Sequence, residues 1–128
     1  MAKQQGQQDP AVAALAHAAK GLAYTSETDA PLEAFVWEDG GKLTRKHLLE
    51  LAGVVAGTGV EESSLDDFLH AVPPEDKPKF DKLAAVIGEQ LSGVKVFKVG
   101  DEAEKVAYVV GKTADGHWAG LKTTVVET

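Results

Sequence analysis

Apolar residues recur three to four positions apart in four stretches of the chain, which is the spacing of a helix with one buried side. Phe80, Leu83 and Ile87 show this spacing most clearly. Capping residues or proline precede each stretch, and glycine or proline follows most of them. The first predicted helix runs from about residue 10 to 23 and follows Asp9 and Pro10, and the second runs from Thr44 to the glycines at 53, 57 and 59. The third runs from Ser63 or Ser64 to Pro73–Pro74, and the fourth from about Lys77 to Gly93.

Strand-like segments occur at residues 32–38 and throughout the last third of the chain. Short turns around Gly100–Asp101 and Asp115–Gly116 divide that last third into three strands. Strands joined by turns this short pair with their neighbours in antiparallel order. The predicted antiparallel meander consists of Val94–Val99, Val106–Val110 and Trp118–Val126.

The middle strand of this meander is apolar on both faces. Val106, Tyr108 and Val110 point to one side. Ala107 and Val109 point to the other side, because successive side chains alternate along a strand. A sheet that is apolar on both faces needs helices on both faces. The predicted fold class is therefore α/β, a three-layer α/β/α sandwich around a mainly antiparallel sheet.

The aromatic residues of the strands have different expected environments. Ala34–Trp37 is a consecutive apolar run, which predicts a central strand with Phe35 and Trp37 in the core. Trp118 begins an outer strand beside His117. For Trp118, the core, the rim of the core and a partner contact all remain open.

The length of 128 residues fits one domain and is too short for two ordinary ones. Residues 1–9 lack apolar periodicity and are predicted to be a disordered tail before a single domain at 10–128. No apolar run reaches the roughly 18 residues of a membrane helix. The alanine-rich stretch 11–19 lacks the basic start of a signal peptide. We therefore expect a cytoplasmic protein without membrane contact.

Candidate catalytic and metal-binding chemistry is sparse. The chain has no cysteine, and its histidines at 17, 47, 70 and 117 have no local ligand spacing. Gly40–Thr44 departs from a phosphate-binding loop, because Leu43 stands where Ser or Thr should follow the lysine. The nucleophile-elbow and dinucleotide-binding motifs are also missing from the sequence. We predict that the protein is not an enzyme and has no cofactor and no metal of its own.

The charge of the chain is strongly acidic, with 13 Lys and Arg against 20 Asp and Glu and a formal net charge of −7. This disfavours direct binding to nucleic acid, which needs a basic face. It favours a partner with a basic cleft, although it also fits a protein that is simply kept soluble by its charge. Acidic residues cluster at 25–41, 61–67 and 101–104, and the second and third clusters are typical of solvated loops.

Two separated blocks of sequence resemble a known family. The first block, Gly21–Glu38, joins a helix end, a Ser-Glu loop and the first strand. The second block comprises Val96–Gly100, Ala107–Thr113, Ala119–Thr123 and the terminal Val125–Thr128. In these blocks the chain resembles the nuclease A inhibitor family. The resemblance covers roughly residues 11–128, and pattern alone carries it in the middle third.

This resemblance implies an α/β/α sandwich and a function. Members of the family inhibit ββα-metal endonucleases, which cleave DNA and RNA without sequence preference. The resemblance implies that Glu27 reaches a basic residue in the nuclease cleft and that Thr128 approaches the catalytic magnesium of the enzyme. The neighbours expected in the same contact are Ser26, Thr28, Asp29 and Glu127. We expect the free protein to be a monomer.

One segment departs from the family pattern, and two other functions stay open. The connection at 72–78 is shorter than in the family, where it adds to the nuclease contact, so the target nuclease is not defined. One alternative is a small acidic α/β metal carrier whose acidic clusters hold iron or calcium. The other is a protein-interaction domain of the same fold that has lost nuclease inhibition.

Overall fold

The computed structural model describes residues 10–25, 29–37, 42–55, 57–114 and 116–126. The predicted tail at 1–9 lies outside the described residues. Along the chain the elements are α1 (Pro10–Ala19), β1 (Ala23–Thr25), β2 (Asp29–Pro31), β3 (Glu33–Trp37), α2 (Arg45–Ala52), β4 (Val60–Ser63), α3 (Leu65–His70), a 3₁₀ turn (Pro74–Asp76), α4 (Lys77–Gln90), β5 (Ser92–Val99), β6 (Glu104–Lys112) and β7 (Trp118–Val126).

Five strands form one antiparallel sheet in the order β3-β7-β6-β5-β4. The central strand β6 pairs with β5, where Val106 lies opposite Val99, and with β7, where Val110 lies opposite Gly120. The predicted meander of three consecutive strands is therefore confirmed. β1 and β2 form a separate two-stranded antiparallel hairpin.

The first face of the sheet packs against α1, α3 and α4. Ala107 and Val109 of β6 lie in this core with Leu15 of α1, Phe68 of α3 and Ile87 of α4, and all of them are buried. Fully burying an aliphatic or aromatic side chain of this kind contributes about 1.5–3 kcal/mol relative to leaving it in water. The apolar sides of the three helices therefore hold them against this face.

The second face of the sheet packs against α2. Tyr108 and Val110 of β6 share this core with Leu48 and Leu49 of α2, and Leu48 is fully buried. The two sides of β6 thus face two different cores, as its alternating pattern predicts. Helices cover both faces of the sheet, and the predicted α/β/α arrangement is confirmed.

Several strand predictions need correction. The short strands β1, β2 and β4 were not expected, because three or four residues hold too few alternating positions to give a pattern. β3 lies at the edge of the sheet, so the central position predicted for Phe35 and Trp37 is wrong, although both are half-buried against the second core. An apolar run reports that both faces of a strand are covered, not how many strands flank it. Trp118 begins the interior strand β7 rather than an outer strand.

The ends of the helices also differ from their predicted positions. α1 ends at Ala19, earlier than expected, because the chain turns into β1. α4 ends before Leu91, whose backbone is extended. Gly93, the predicted stop, lies inside β5 with a φ of 62°, at an irregularity in the pairing with β6. Of the two candidate capping serines, Ser64 caps α3.

Candidate functional site

The stem of the β1–β2 hairpin, from which the Ser-Glu loop extends, is anchored in the first core. Tyr24 and Ala30 lie opposite each other in the stem, and both are buried. The Tyr24 ring stacks on the Phe68 ring of α3, with centroids 4.1 Å apart. The Tyr24 hydroxyl donates a hydrogen bond to the Phe68 carbonyl oxygen at 2.8 Å. One face of the stem therefore lies in the core, whereas Ala23, Asp29 and Pro31 on its other face are exposed.

The tip of the hairpin begins at a pair of polar residues. Thr25 lies opposite Asp29, and the Thr25 hydroxyl donates a hydrogen bond to the Asp29 carboxylate at 2.8 Å. Asp29, one of the predicted contact residues, is exposed there. The predicted contact residues Ser26, Glu27 and Thr28 join these two strands and lie outside the described residues.

The last strand leads to the second predicted contact segment. Val125 is buried in the first core, and Val126 pairs with Glu104 at the start of β6. The predicted contact residues Glu127 and Thr128 follow directly and lie outside the described residues. A buried, paired strand therefore supports the chain up to its last two positions.

The hairpin and the end of β7 lie side by side. β3 begins at Glu33, opposite Lys122, and the hairpin immediately precedes β3 in the chain. Both hairpin strands contact β7. The buried Thr123 hydroxyl donates a hydrogen bond to the Ala30 carbonyl oxygen at 3.3 Å. The strands that lead to both predicted contact segments are thus joined at one end of the sheet.

A cleft of about 410 Å³ lies between this hairpin and the second face of the sheet. Pro31 of the hairpin and Tyr108 of β6 line it, and Glu33 and Lys122, which are directly opposite in the β3–β7 pair, add charges of opposite sign. Burial raises the pKa of the Tyr108 hydroxyl above its ordinary value of 10.0.

Sequence reasoning missed the residues that position the site. Tyr24 lies in a segment whose sequence pattern indicates the end of a helix, and Thr123 lies in a strand whose pattern is carried by its apolar positions. A lone aromatic residue directly before a polar, acidic loop was the available signal for Tyr24. For Thr123 the signal is absent, because its partner Ala30 is 93 positions away in the sequence.

The other two acidic clusters contain residues with partners inside the protein. The Glu62 carboxylate lies 3.4 Å from the Lys95 ammonium group. The Asp101 carboxylate accepts a hydrogen bond of 2.8 Å from the backbone N–H of Gly59 and so ties the β5–β6 turn to the segment before β4. In the segment at 72–78, a 3₁₀ turn at Pro74–Asp76 leads directly into α4. The ion pair, the hydrogen bond and the turn are therefore contacts and connections within the protein itself.

Comparison with known proteins gives one family. A family described as nuclease A inhibitor-like protein matches residues 9–128, nearly the whole chain. No curated protein matches the chain. None of the helices in the described part of the chain has the length and apolar character needed to cross a membrane.

Proposed function

The chain belongs to the nuclease A inhibitor-like family, and from this premise we propose that it inhibits a sugar-nonspecific, magnesium-dependent endonuclease. The inhibitor enters the active-site cleft of a ββα-metal nuclease with two segments, the loop that carries Glu27 and the chain end at Thr128. The family match at 9–128 carries the proposal, because it spans every element that supports these two segments.

The chemistry of a nuclease cleft suits both segments. Such a cleft holds phosphate oxygens against basic side chains and a hard metal cation. Carboxylate oxygens imitate phosphate oxygens in both contacts, since they pair with arginine and bind magnesium. Glu27 supplies a side-chain carboxylate, and Thr128 supplies the terminal carboxylate beside its hydroxyl. The inhibitor therefore acts as an acidic substitute for the substrate and is not itself a nucleic-acid-binding protein.

The arrangement of the supporting strands favours this mode of binding. The hairpin stem is anchored by Tyr24, and the end of β7 is buried at Val125, so the bases of both segments are held in place before any partner binds. Ordering a loop or side chain on association costs binding energy, and a prearranged base lowers that cost. Thr123 and Ala30 link the two supports directly.

The chain end gives the most direct test. Untagged protein should inhibit hydrolysis of DNA and RNA by a purified ββα-metal nuclease at stoichiometric amounts. Deleting Thr128 shortens the reach by about 3.4 Å, one residue of strand, which is longer than a magnesium–oxygen bond of about 2.1 Å. Deletion of Thr128 and a C-terminal tag should both weaken inhibition, whereas the same tag at the N terminus should not. Melting temperatures should be unchanged in all three variants.

Other results of these inhibition assays would each lead to a different conclusion. A C-terminally tagged protein that inhibits as well as the untagged one would remove the chain end from the mechanism. Full nuclease activity in a stoichiometric mixture with the untagged protein would contradict the whole proposal. Saturable binding of iron or calcium without inhibition would instead support a metal carrier. Equal inhibition of unrelated magnesium nucleases would indicate metal capture rather than a specific complex.

A further inference from the structure

A second cleft, of about 490 Å³, lies on the second face of the sheet at the end opposite the hairpin. The segment Lys42–Leu43, which leads into α2, forms one wall. The strands β4, β5, β6 and β7 form the rest, near the point where Lys112 lies opposite Trp118. Trp118 in turn lies opposite Trp37, at the far end of β3 from Glu33. This cleft is therefore separate from the hairpin site.

The charge of this cleft is opposite to that of the whole protein. Lys42, Lys95 and Lys112 place three ammonium groups around it. Among the described residues that line it, Glu62 is the single acidic one, and its carboxylate lies 3.4 Å from the Lys95 ammonium. The described residues of the lining thus have a formal charge of +2, on a chain with a net charge of −7. A local excess of cations in a cleft concentrates anions from solution.

A β-bulge places these lysines on one face. Ser92 lies opposite Lys112, and with regular pairing Lys95 would lie opposite Val109, whose side chain is in the first core. The register shifts between Ser92 and Lys95, so that Lys95 lies opposite Val110 and on the same face as Lys112. Gly93 permits this shift, because its φ of 62° is strained for other residues. Bulges often re-aim side chains next to functional sites.

The rest of the lining is apolar and aromatic. Phe97 and Val110 are buried members of the second core and lie along the cleft. The Lys112 ammonium lies 5.1 Å from the centroid of the Trp118 ring, within the range of a cation–π interaction. The side chain of Lys112 is thereby held beside the cleft. An apolar lining with a few convergent charged groups, in a volume of about 300–1,000 Å³, is typical of sites for small molecules.

We propose that this cleft binds a small aromatic phosphate ester of the size of a nucleoside monophosphate. Its phosphate group pairs with the ammonium groups of Lys95 and Lys112, and Lys42 closes the site from the α2 side. Its ring lies against the apolar lining that includes Phe97. A net charge of +2 matches the double negative charge of a phosphate monoester better than the single charge of a carboxylate. Lysine binds phosphate as a point charge and needs no planar geometry.

Titration of the full chain with adenosine 5′-monophosphate tests this proposal, with isothermal calorimetry at low ionic strength as the measurement. We expect one saturable site, with adenosine and inorganic phosphate each binding at least about tenfold more weakly. Lys95→Met and Lys112→Met should each weaken binding by about tenfold or more, since each removes a charge-assisted contact. Lys82 is exposed on α4, on the other side of the sheet from the cleft. The matched control Lys82→Met should therefore bind the nucleotide as tightly as the unmodified protein does.

Spectroscopy locates the bound ligand. In a Trp37→Phe background, Trp118 is the single tryptophan, and its fluorescence should change with the same affinity as the calorimetric titration. Circular dichroism melting confirms that each variant folds, and Lys42→Met replaces any variant that does not.

Three results would overturn the proposal. The first is an absence of saturable nucleotide binding at millimolar concentration. The second is equal weakening by Lys82→Met, which would indicate a general charge effect. The third is binding of inorganic phosphate as tightly as the nucleotide, which would remove the aromatic part of the assignment.

Discussion

At the scale of single residues, the close approach of two strands explains why position 120 is a glycine. It lies in the middle of β7 opposite Val110, and a Cβ atom built there would overlap the carbonyl oxygen of Val109. The atoms it meets belong to the backbone of β6 and cannot swing aside as a side chain could. Glycine normally weakens a strand interior, and it often marks a place where another backbone approaches closely. Gly120 is such a place.

Gly120→Ala should therefore destabilise the protein. Alanine lowers the conformational entropy of the unfolded chain, which by itself favours folding, but the overlap with β6 outweighs this gain. Overpacking a well-packed interior typically costs about 1–3 kcal/mol, and we expect the loss to reach the upper part of this range because backbone must move. The free energy of unfolding in urea measures it. The matched control is Gly88→Ala on an exposed helical position with open space around it, which should raise stability by about 0.5–1 kcal/mol. Equal effects of the two substitutions would contradict the close approach of β6 and β7.

Tyr108 makes stability depend on alkaline pH. Burial raises its pKa above 10.0, so the folded protein retains the phenolic proton at a pH where the unfolded chain has lost it. The contribution of this group is fully present below pH 10 and is lost as the pH rises through the folded pKa. Wild-type unfolding free energy should therefore fall above pH 10 more steeply than that of Tyr108→Phe, by at most about 1.4 kcal/mol per pH unit. Parallel curves from urea titrations between pH 8 and 11 would contradict this.

At the scale of elements, the length of each segment decided what the sequence could predict. α4 and the strands β5, β6 and β7 have enough positions to repeat an apolar pattern, and all four were predicted in order. β1, β2 and β4 have three or four residues each, and they were missed. Their presence depends on tertiary contacts, such as the stacking of Tyr24 on Phe68, 44 positions away. Patterning reports burial along the chain and does not report partners that are distant in sequence.

The same limit applies to the candidate sites. The loop that carries Glu27 and the end at Thr128 were predicted from the resemblance to a family, and local periodicity does not distinguish them from other polar segments. The lysines of the second cleft lie at 42, 95 and 112, and a register shift of one residue decides which face Lys95 occupies. A sequence pattern does not contain that shift, because it depends on the pairing of β5 with β6.

The stem of the hairpin is anchored by contacts among residues that lie outside its loop. Its anchors are Tyr24 and the Thr25–Asp29 pair, and none of these contacts involves Glu27. Glu27→Ala should therefore weaken nuclease inhibition while the melting temperature stays unchanged. Truncating one member of a buried charge pair typically costs about 2–5 kcal/mol of binding, mostly through faster dissociation.

The matched control for this substitution is Glu89→Ala, which removes the same charge from an exposed position of α4. Glu89 lies in the last turn of α4, which leads into β5 at Ser92, and Ser92 pairs with Lys112 at the end of β6 that is farther from Val126. It should leave both inhibition and melting temperature unchanged. A Glu27→Ala protein that melts well below the parent would assign Glu27 a structural role instead.

At the scale of the whole molecule, the charges that sum to −7 are unevenly distributed between the two candidate sites. The hairpin end carries Asp29, Glu33 and Lys122 and leads to Glu27, whereas the described lining of the cleft at the opposite end has an excess of positive charge. An uneven distribution of this kind orients a protein as it approaches a charged partner. The acidic hairpin end would face the basic cleft of a nuclease, and the basic end would face away.

The association rate with the nuclease should consequently depend strongly on salt. Attraction between the acidic inhibitor and a cleft built for a polyanion acts over long distances, and salt screens it beyond about 8 Å at physiological ionic strength. Raising potassium chloride from 20 to 500 mM, about a 25-fold change at constant magnesium, should slow association, while the dissociation rate changes less because close contacts are screened less. Stopped-flow mixing measures both rates. Glu27→Ala should act mainly on dissociation, so its association rate should keep most of this salt dependence. An association rate that does not respond to salt would indicate a mainly apolar interface and would contradict the acidic-substitute mechanism.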